Sequence, residues 1–223
     1  WFVCRMFIVT GTKAQKLGNV DQEARKLLLA NPGTTPNPDE KIVAQTLFKS
    51  WVYKSFTGTK AMKTGSMNER AVFLSLRKQK WCKEIYEAGL FVSNKFPCVA
   101  ASPDGIARVI LPDADYENPL VSLVTCSIEI KTRSSPIMKY RAALISREHG
   151  LYFNVECGSE EWFRVVPRAN RGQLLAQAVA LNVDYVLFTE SCPGKRYFSA
   201  LIHITRRQRE TFANAIMKWK NLI

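Results

Sequence analysis

A chain of 223 residues, 47% of them hydrophobic, is long enough to build one domain around a sizeable buried core. Lys and Arg number 32 against 19 Asp and Glu, a formal net charge of +13 that favours a polyanionic partner. No internal repeat or low-complexity tract is present, which excludes a solenoid and a disordered chain, and no apolar run approaches the roughly 20 residues that cross a bilayer.

The opening WFVCRMFIV is apolar but short and carries Arg5. It reads as the cut edge of a longer protein or a processed chain rather than a signal peptide. Residues 20–30 read as a helix ended by NPGTTPNP, and residues 38–50 as a second helix with Pro38 in its first turn. Residues 66–88, SMNERAVFLSLRKQKWCKEIYEA, give the longest helical pattern, with Val72, Phe73, Leu76 and Ile85 pointing inward and Gly89 as its stop. Ser66 and Glu69 at its start match a capping box.

Beyond Gly89 the chain becomes rich in β-branched and aromatic residues. LFVSNKFPCVAASPDGIARVIL predicts two strands about a Pro-Asp-Gly turn, and LVSLVTCSIEIKT a third that is apolar enough to be central. LYFNVEC and WFRVVP predict a small hairpin. Residues 170–181, NRGQLLAQAVAL, read as a helix, DYVLFTE and YFSALIHI as strands, and RRQRETFANAIMKWKNLI as a closing helix. This order predicts an α/β fold, a central mixed β-sheet flanked by helices, in a single domain over 1–223. Residues 1–65 form its N-terminal helical part, 66–204 its core and 205–223 its last helix.

The six cysteines, Cys4, Cys82, Cys98, Cys126, Cys157 and Cys192, include no C-x-x-C pair, and His149 and His203 lie far from them in sequence. That pattern argues against zinc, and a chain with this much core needs no disulfide framework. The expectation is reduced, mostly buried thiols in an intracellular setting. The basic residues are dispersed, with Arg133 and Arg171 among them, so the positive surface is broad. No basic amphipathic helix stands alone to dock on a membrane, which leaves nucleic acid as the preferred partner and a merely soluble basic domain as the plain alternative.

The chemistry concentrates in SIEIK. On a strand, Glu129 and Lys131 share one face while Ile128 and Ile130 share the other. A carboxylate and an ammonium on an apolar strand are costly unless that face opens on a polar site or the charges are compensated. Asp104, at the Pro-Asp-Gly turn, is placed to supply a second carboxylate. Asp104, Glu129 and the backbone carbonyl of Ile130 make a hard-oxygen set suited to Mg²⁺, with Mn²⁺ able to substitute. Lys131 would then orient or deprotonate a water, or balance charge developing on a phosphate. The plain alternatives are a turn aspartate and a surface ion pair on an edge strand.

ASPDGI followed by EIK on strands resembles the PD-(D/E)XK nuclease superfamily, and more closely its phage lambda exonuclease and YqaJ-like viral recombinase branch. The resemblance spans about residues 5–185. It implies a restriction-endonuclease-like core and a Mg²⁺-dependent nuclease acting on DNA, an exonuclease at duplex ends by that branch. An endonuclease, an RNA-directed nuclease and a catalytically silent nucleic-acid-binding module of the same fold remain alternatives. It also implies a helical acid before the sheet, matched by Glu69, and a helical glutamine after it, matched by Gln173, with Gln177 on the same helical face and near the nucleic acid. Arg5, Thr10 and Thr12 match the segment by which that branch approaches the DNA end. The stretch from Asp104 to Glu129 is longer than in compact members. It carries Asp113, Asp115 and Glu117, expected at a loop tip, and residues 150–167 look like an addition.

Overall fold

The computed structural model describes residues 9–10, 60–112, 122–132, 141, 143–144, 150–191 and 196–220. The elements expected at 20–30 and 38–50 lie outside them. Strand β1 is Val9–Thr10, and helix α1 runs over Lys60–Leu76. Because α1 begins six residues before Ser66, that serine lies inside the helix and the expected capping box does not form.

The helix expected to continue to residue 88 stops at Leu76. Tight turns follow, with Lys78 N–H donating to Ser75 O and Gln79 N–H to Leu76 O, and the chain enters strand β2, Cys82–Glu87. The physical cause of the misleading pattern is a bulge. The register of β2 slips between Cys82 and Glu84, so the buried residues Cys82 and Ile85 fall three apart, a helical spacing on a strand.

Two short strands follow, β3 at Phe91–Val92 and β4 at Val99–Ala101. They join β1 in a three-stranded sheet of order β1-β4-β3, with β1 parallel and β3 antiparallel to β4. Strand β5, Gly105–Ile110, belongs to a different sheet. The Pro-Asp-Gly segment therefore does not close a hairpin; it carries the chain from one sheet to the other.

The larger sheet adds β6 (Leu123–Thr132), β7 (Leu151–Glu156), β8 (Tyr185–Ser191) and β9 (Tyr197–His203), in the order β2-β5-β6-β8-β9-β7. It is mixed: β6 is antiparallel to β5 but parallel to β8, and β7 is parallel to β9. WFRVVP is no partner for β7. Its first four residues, Trp162 to Val165, sit in helix α2, Glu160–Val165, because Ser159 caps the first turn by accepting from Trp162 N–H at 3.1 Å and Trp162 and Val165 bury inward. Residues 150–167 are thus the sheet's far edge and a core-packed helix. Helix α3 is Arg168–Leu181, ended by Asn182 in the left-handed region (φ 52°), and α4 is Arg206–Lys220.

Each face of the larger sheet has its own core. On one, α2, α3 and α4 cover Val186, Phe188, Phe198 and Ile202 with Trp162, Leu174, Leu175 and Phe212. On the other, Val72, Phe73 and Leu76 of α1 lie over Val109, Ile128, Ile130 and Leu187. Strand β8 shows the alternation in three residues: Val186 and Phe188 face the first core and Leu187 the second.

Candidate active site

The site arises from a mismatch of strand lengths. Strand β5 begins at Gly105, opposite Ile128, whereas β6 runs on to Thr132 with β8 still paired on its other side. Past Ile128, the β5 side of β6 is open. Asp104 fills the first gap: its N–H donates to Ile128 O at 2.9 Å, and its Oδ2 accepts from Ile130 N–H at 2.6 Å. The carboxylate takes the place that the next carbonyl of a longer β5 would occupy, which satisfies a backbone donor and fixes the side chain. A residue's N–H and C=O point to the same side of an extended strand, so the Ile130 carbonyl also faces the opening.

Gly105 makes this close approach sterically possible. A β-carbon there would lie 2.7 Å from Phe73 Cε2 and 2.8 Å from Tyr86 O. The backbone beside Asp104 can therefore sit against α1 only without a side chain.

On β6, Ile128 and Ile130 pack under α1, and Ser127 and Glu129 point to the α3 side, all four buried. Gln177 of α3 reaches down to meet them, donating through Nε2 to Glu129 Oε2 at 2.5 Å and accepting from Ser127 Oγ at 3.1 Å. The other Glu129 oxygen, Oε1, is ion-paired with the Lys131 ammonium, whose side chain is a quarter exposed (25%) while that of Glu129 is fully enclosed (0%). Glu69, on α1, faces the same opening, within electrostatic reach of Lys131 and Asp104. Glu69, Arg70, Glu87, Ser102, Asp104 and Ile130 line an open cleft of about 390 Å³.

Burial raises the carboxyls of Glu69, Asp104 and Glu129 above the ordinary range, Glu129 to about 7; Lys131 pulls all three back down in part, and the Asp104 charge adds to the rise at Glu69 and Glu129. Burial works to lower the Lys131 ammonium, but Glu129, Asp104 and Glu69 outweigh it and the net shift is upward. The donors facing the opening are all oxygens, crowded carboxylates that a divalent cation would relieve, and this fits Mg²⁺ or Mn²⁺. Among the described residues, no group of three or more His, Cys, Asp or Glu side chains is arranged to hold a metal ion by itself.

Of the residues singled out from sequence, Glu69, Asp104, Glu129, Ile130 and Lys131 come together around this opening. Gln173 sits one turn before Gln177 on α3 and is partly exposed. Two expectations of nucleic-acid contact need correction. Gln177 is fully buried and clamps Glu129. Arg171 is also buried, its guanidinium donating to the carbonyls of Val166 and Phe163 and lying 4.7 Å over the Phe163 ring, so it ties α2 to α3. Thr10 pairs in register with Ala100, just before the link that carries Asp104. Arg5, Thr12 and Arg133 lie outside the described residues, as do Asp113, Asp115 and Glu117. Ser127 was missed, although its place two residues before Glu129 on one strand puts it on the same face.

The mixed sheet between helical layers, with charged side chains at the open end of its central strand, is a fold shared with solved nucleases. In particular, the chain is similar to the alkaline exonuclease LHK-Exo of Laribacter hongkongensis, with a TM-score of 0.57 and 16% identity over 99% of this chain and 91% of that one. A second structure of LHK-Exo, in complex with dAMP, gives a TM-score of 0.55 and 14% identity over 99% of this chain and 92% of that one. The sequence matches no family model and no curated protein.

Proposed function

We propose that this chain is a Mg²⁺-dependent nuclease of the PD-(D/E)XK type, related to the lambda-exonuclease branch, that hydrolyses DNA phosphodiester bonds from duplex ends. The observation that carries the reading is the convergence of Asp104, Glu129 and Lys131 where β6 outruns β5. Asp104, distant in sequence, lies within electrostatic reach of Glu129 and Lys131, which share one strand face. The likeness in fold to an alkaline exonuclease supports the same reading.

Asp104, Glu129 and the Ile130 carbonyl would hold the metal ion, which when bound supplies charge to the phosphate and activates water for attack. The chain's own residues do the rest. Gln177, itself held by Ser127, fixes the Glu129 carboxylate through its Oε2, while Oε1 pairs with Lys131. Lys131, ion-paired with Glu129, would orient the attacking water or act as a cation beside the scissile phosphate, stabilising negative charge that builds on the oxygens. Glu69 lines the opening from α1, and with the partly exposed Gln173, one turn before Gln177 on α3, it would orient the attacking water.

The test is hydrolysis of linear duplex DNA with Mg²⁺, with EDTA, and by the Lys131→Ala variant, beside a covalently closed circle. Cleavage is expected to require Mg²⁺, to spare the circle, and to fall at least about 100-fold in Lys131→Ala while DNA binding survives. Equal cleavage by the variant would remove Lys131 from the mechanism, and cleavage of the circle would make the enzyme an endonuclease.

A further inference from the structure

The outward face of α1 carries a cationic stripe that the proposed chemistry does not use. Met67, Arg70, Leu74, Arg77 and Lys78 are spaced at i, i+3, i+7, i+10 and i+11, one face of the helix and of the turn that follows it, and all are exposed. The opposite face buries Val72, Phe73 and Leu76. The only acid in α1 is Glu69, which faces the cleft, so no carboxylate of this helix lies on the stripe. Elsewhere on the surface Arg108, Arg164 and Arg206 each meet a carboxylate, Glu84, Glu160 and Glu210 respectively. Among the described residues, Arg70, Arg77, Lys78 and the exposed Lys80 have no such partner.

The stripe begins at the cleft, since Arg70 lines it beside Asp104. At about 1.5 Å per residue, Arg77 and Lys78 lie roughly 10–12 Å further along the axis. One strand of a duplex presents a phosphate about every 3.4 Å of axis, so the cations span about three phosphates. We propose that this face of α1 is the track for the duplex backbone on its way to the site, with Arg70 nearest the scissile bond and Arg77, Lys78 and Lys80 gripping phosphates behind it. The proposal deepens the nuclease reading and rests on it for which bond is cut, though not for the binding itself.

A nucleic acid fits the stripe better than an acidic protein helix does. Met67 (76% exposed) and Leu74 (50%) stand seven residues apart with Arg70 between them, an apolar row one residue wide. A docked amphipathic helix needs a broader apolar face, with anchors at i, i+3, i+4 and i+7. The stripe also runs unbroken into the cleft, which a separate docking surface would not require.

The test measures binding of linear duplex DNA in EDTA, where nothing turns over, across a salt series. The double variant Arg77→Gln with Lys78→Gln should bind about tenfold more weakly near 0.1 M salt. The slope of log K against log salt should flatten by about 2, close to 0.9 for each phosphate released. Arg77→Lys with Lys78→Arg, which keeps both charges, should restore the slope. An unchanged slope in the glutamine variant overturns the proposal and leaves the face to an acidic protein partner. Since the measurement needs no cleavage, a flattened slope upholds the track even if Lys131→Ala cuts normally, and an unchanged slope ends it even if Lys131→Ala is dead.

Discussion

Glu129 decides most of what the cleft can do, because it is a fully enclosed carboxyl with only two kinds of partner. Burial pushes its pKa up to about 7 from an unfolded value near 4.5. A raised folded pKa means that the folded state binds the proton more tightly than the unfolded chain. Its contribution to stability is therefore fully present below about pH 4.5 and is lost as pH rises through about 7. A shift of this size is worth about 3 kcal/mol, at 1.4 kcal/mol per unit. Thermal unfolding of the metal-free protein between pH 5 and 8, compared with Glu129→Gln, should show the difference growing in favour of the glutamine variant as pH rises. Curves that run parallel would mean that Glu129 stays ionised throughout. Gly105 makes a second case at this scale. The methyl of Gly105→Ala would meet Phe73 and the Tyr86 carbonyl, and the carbonyl belongs to backbone that cannot turn aside. The variant should be destabilised by about 1–3 kcal/mol in denaturant unfolding. It should also lose activity in the remaining folded protein, because Asp104 is anchored to the adjacent residue.

At the scale of elements, the site exists because two strands differ in length, and the sequence shows only half of that. The alternation in SIEIK was legible: it puts Glu129 and Lys131 on one face, and the apolar flanks mark a central strand. That Asp104 would join them was offered by the turn beside a plain turn role, since Pro-Asp-Gly also closes hairpins and here it links two sheets instead. Three features were hidden for physical reasons. The bulge in β2 spaced its buried residues like those of a helix, so residues 77–88 were misread. The cap on α2 is a single serine, and the helix it starts is short and buries aromatic residues that look like a strand. Gln177 was expected near the nucleic acid because periodicity registers polarity, and not the buried carboxylate waiting across the interface. The α3 sequence, with its small and apolar residues on nearly every side, is that of a helix enclosed all round. A polar side chain in such a helix has to find a buried partner.

At the scale of the whole molecule, one sheet separates two cores, and the described cysteines report on how tightly they close. Cys82 and Cys126 lie in the core under α1, and Cys98 and Cys157 in the core under α3 and α4, all four reduced and buried. The cysteine pattern had led to this expectation. Burial pushes the thiols of Cys82 and Cys157 up to about 11 and about 12, and that of Cys126 higher still. Only the thiolate reacts with alkylating reagents, and a raised pKa leaves almost none of it at neutral pH. Each of these cysteines should therefore be modified only when its core opens. Alkylation followed by peptide mapping, over a denaturant series, gives an opening free energy for each position. If the sheet holds both layers as one cooperative unit, Cys126 and Cys157 should report the same free energy, equal to that of global unfolding. A lower value for Cys126 alone would mean that α1, which carries Glu69 and the cationic stripe, lifts from the sheet while α3 and α4 stay in place. The cleft would then be assembled by the docking of that one helix, and binding a duplex along α1 should slow the modification of Cys126 and leave Cys157 unaffected.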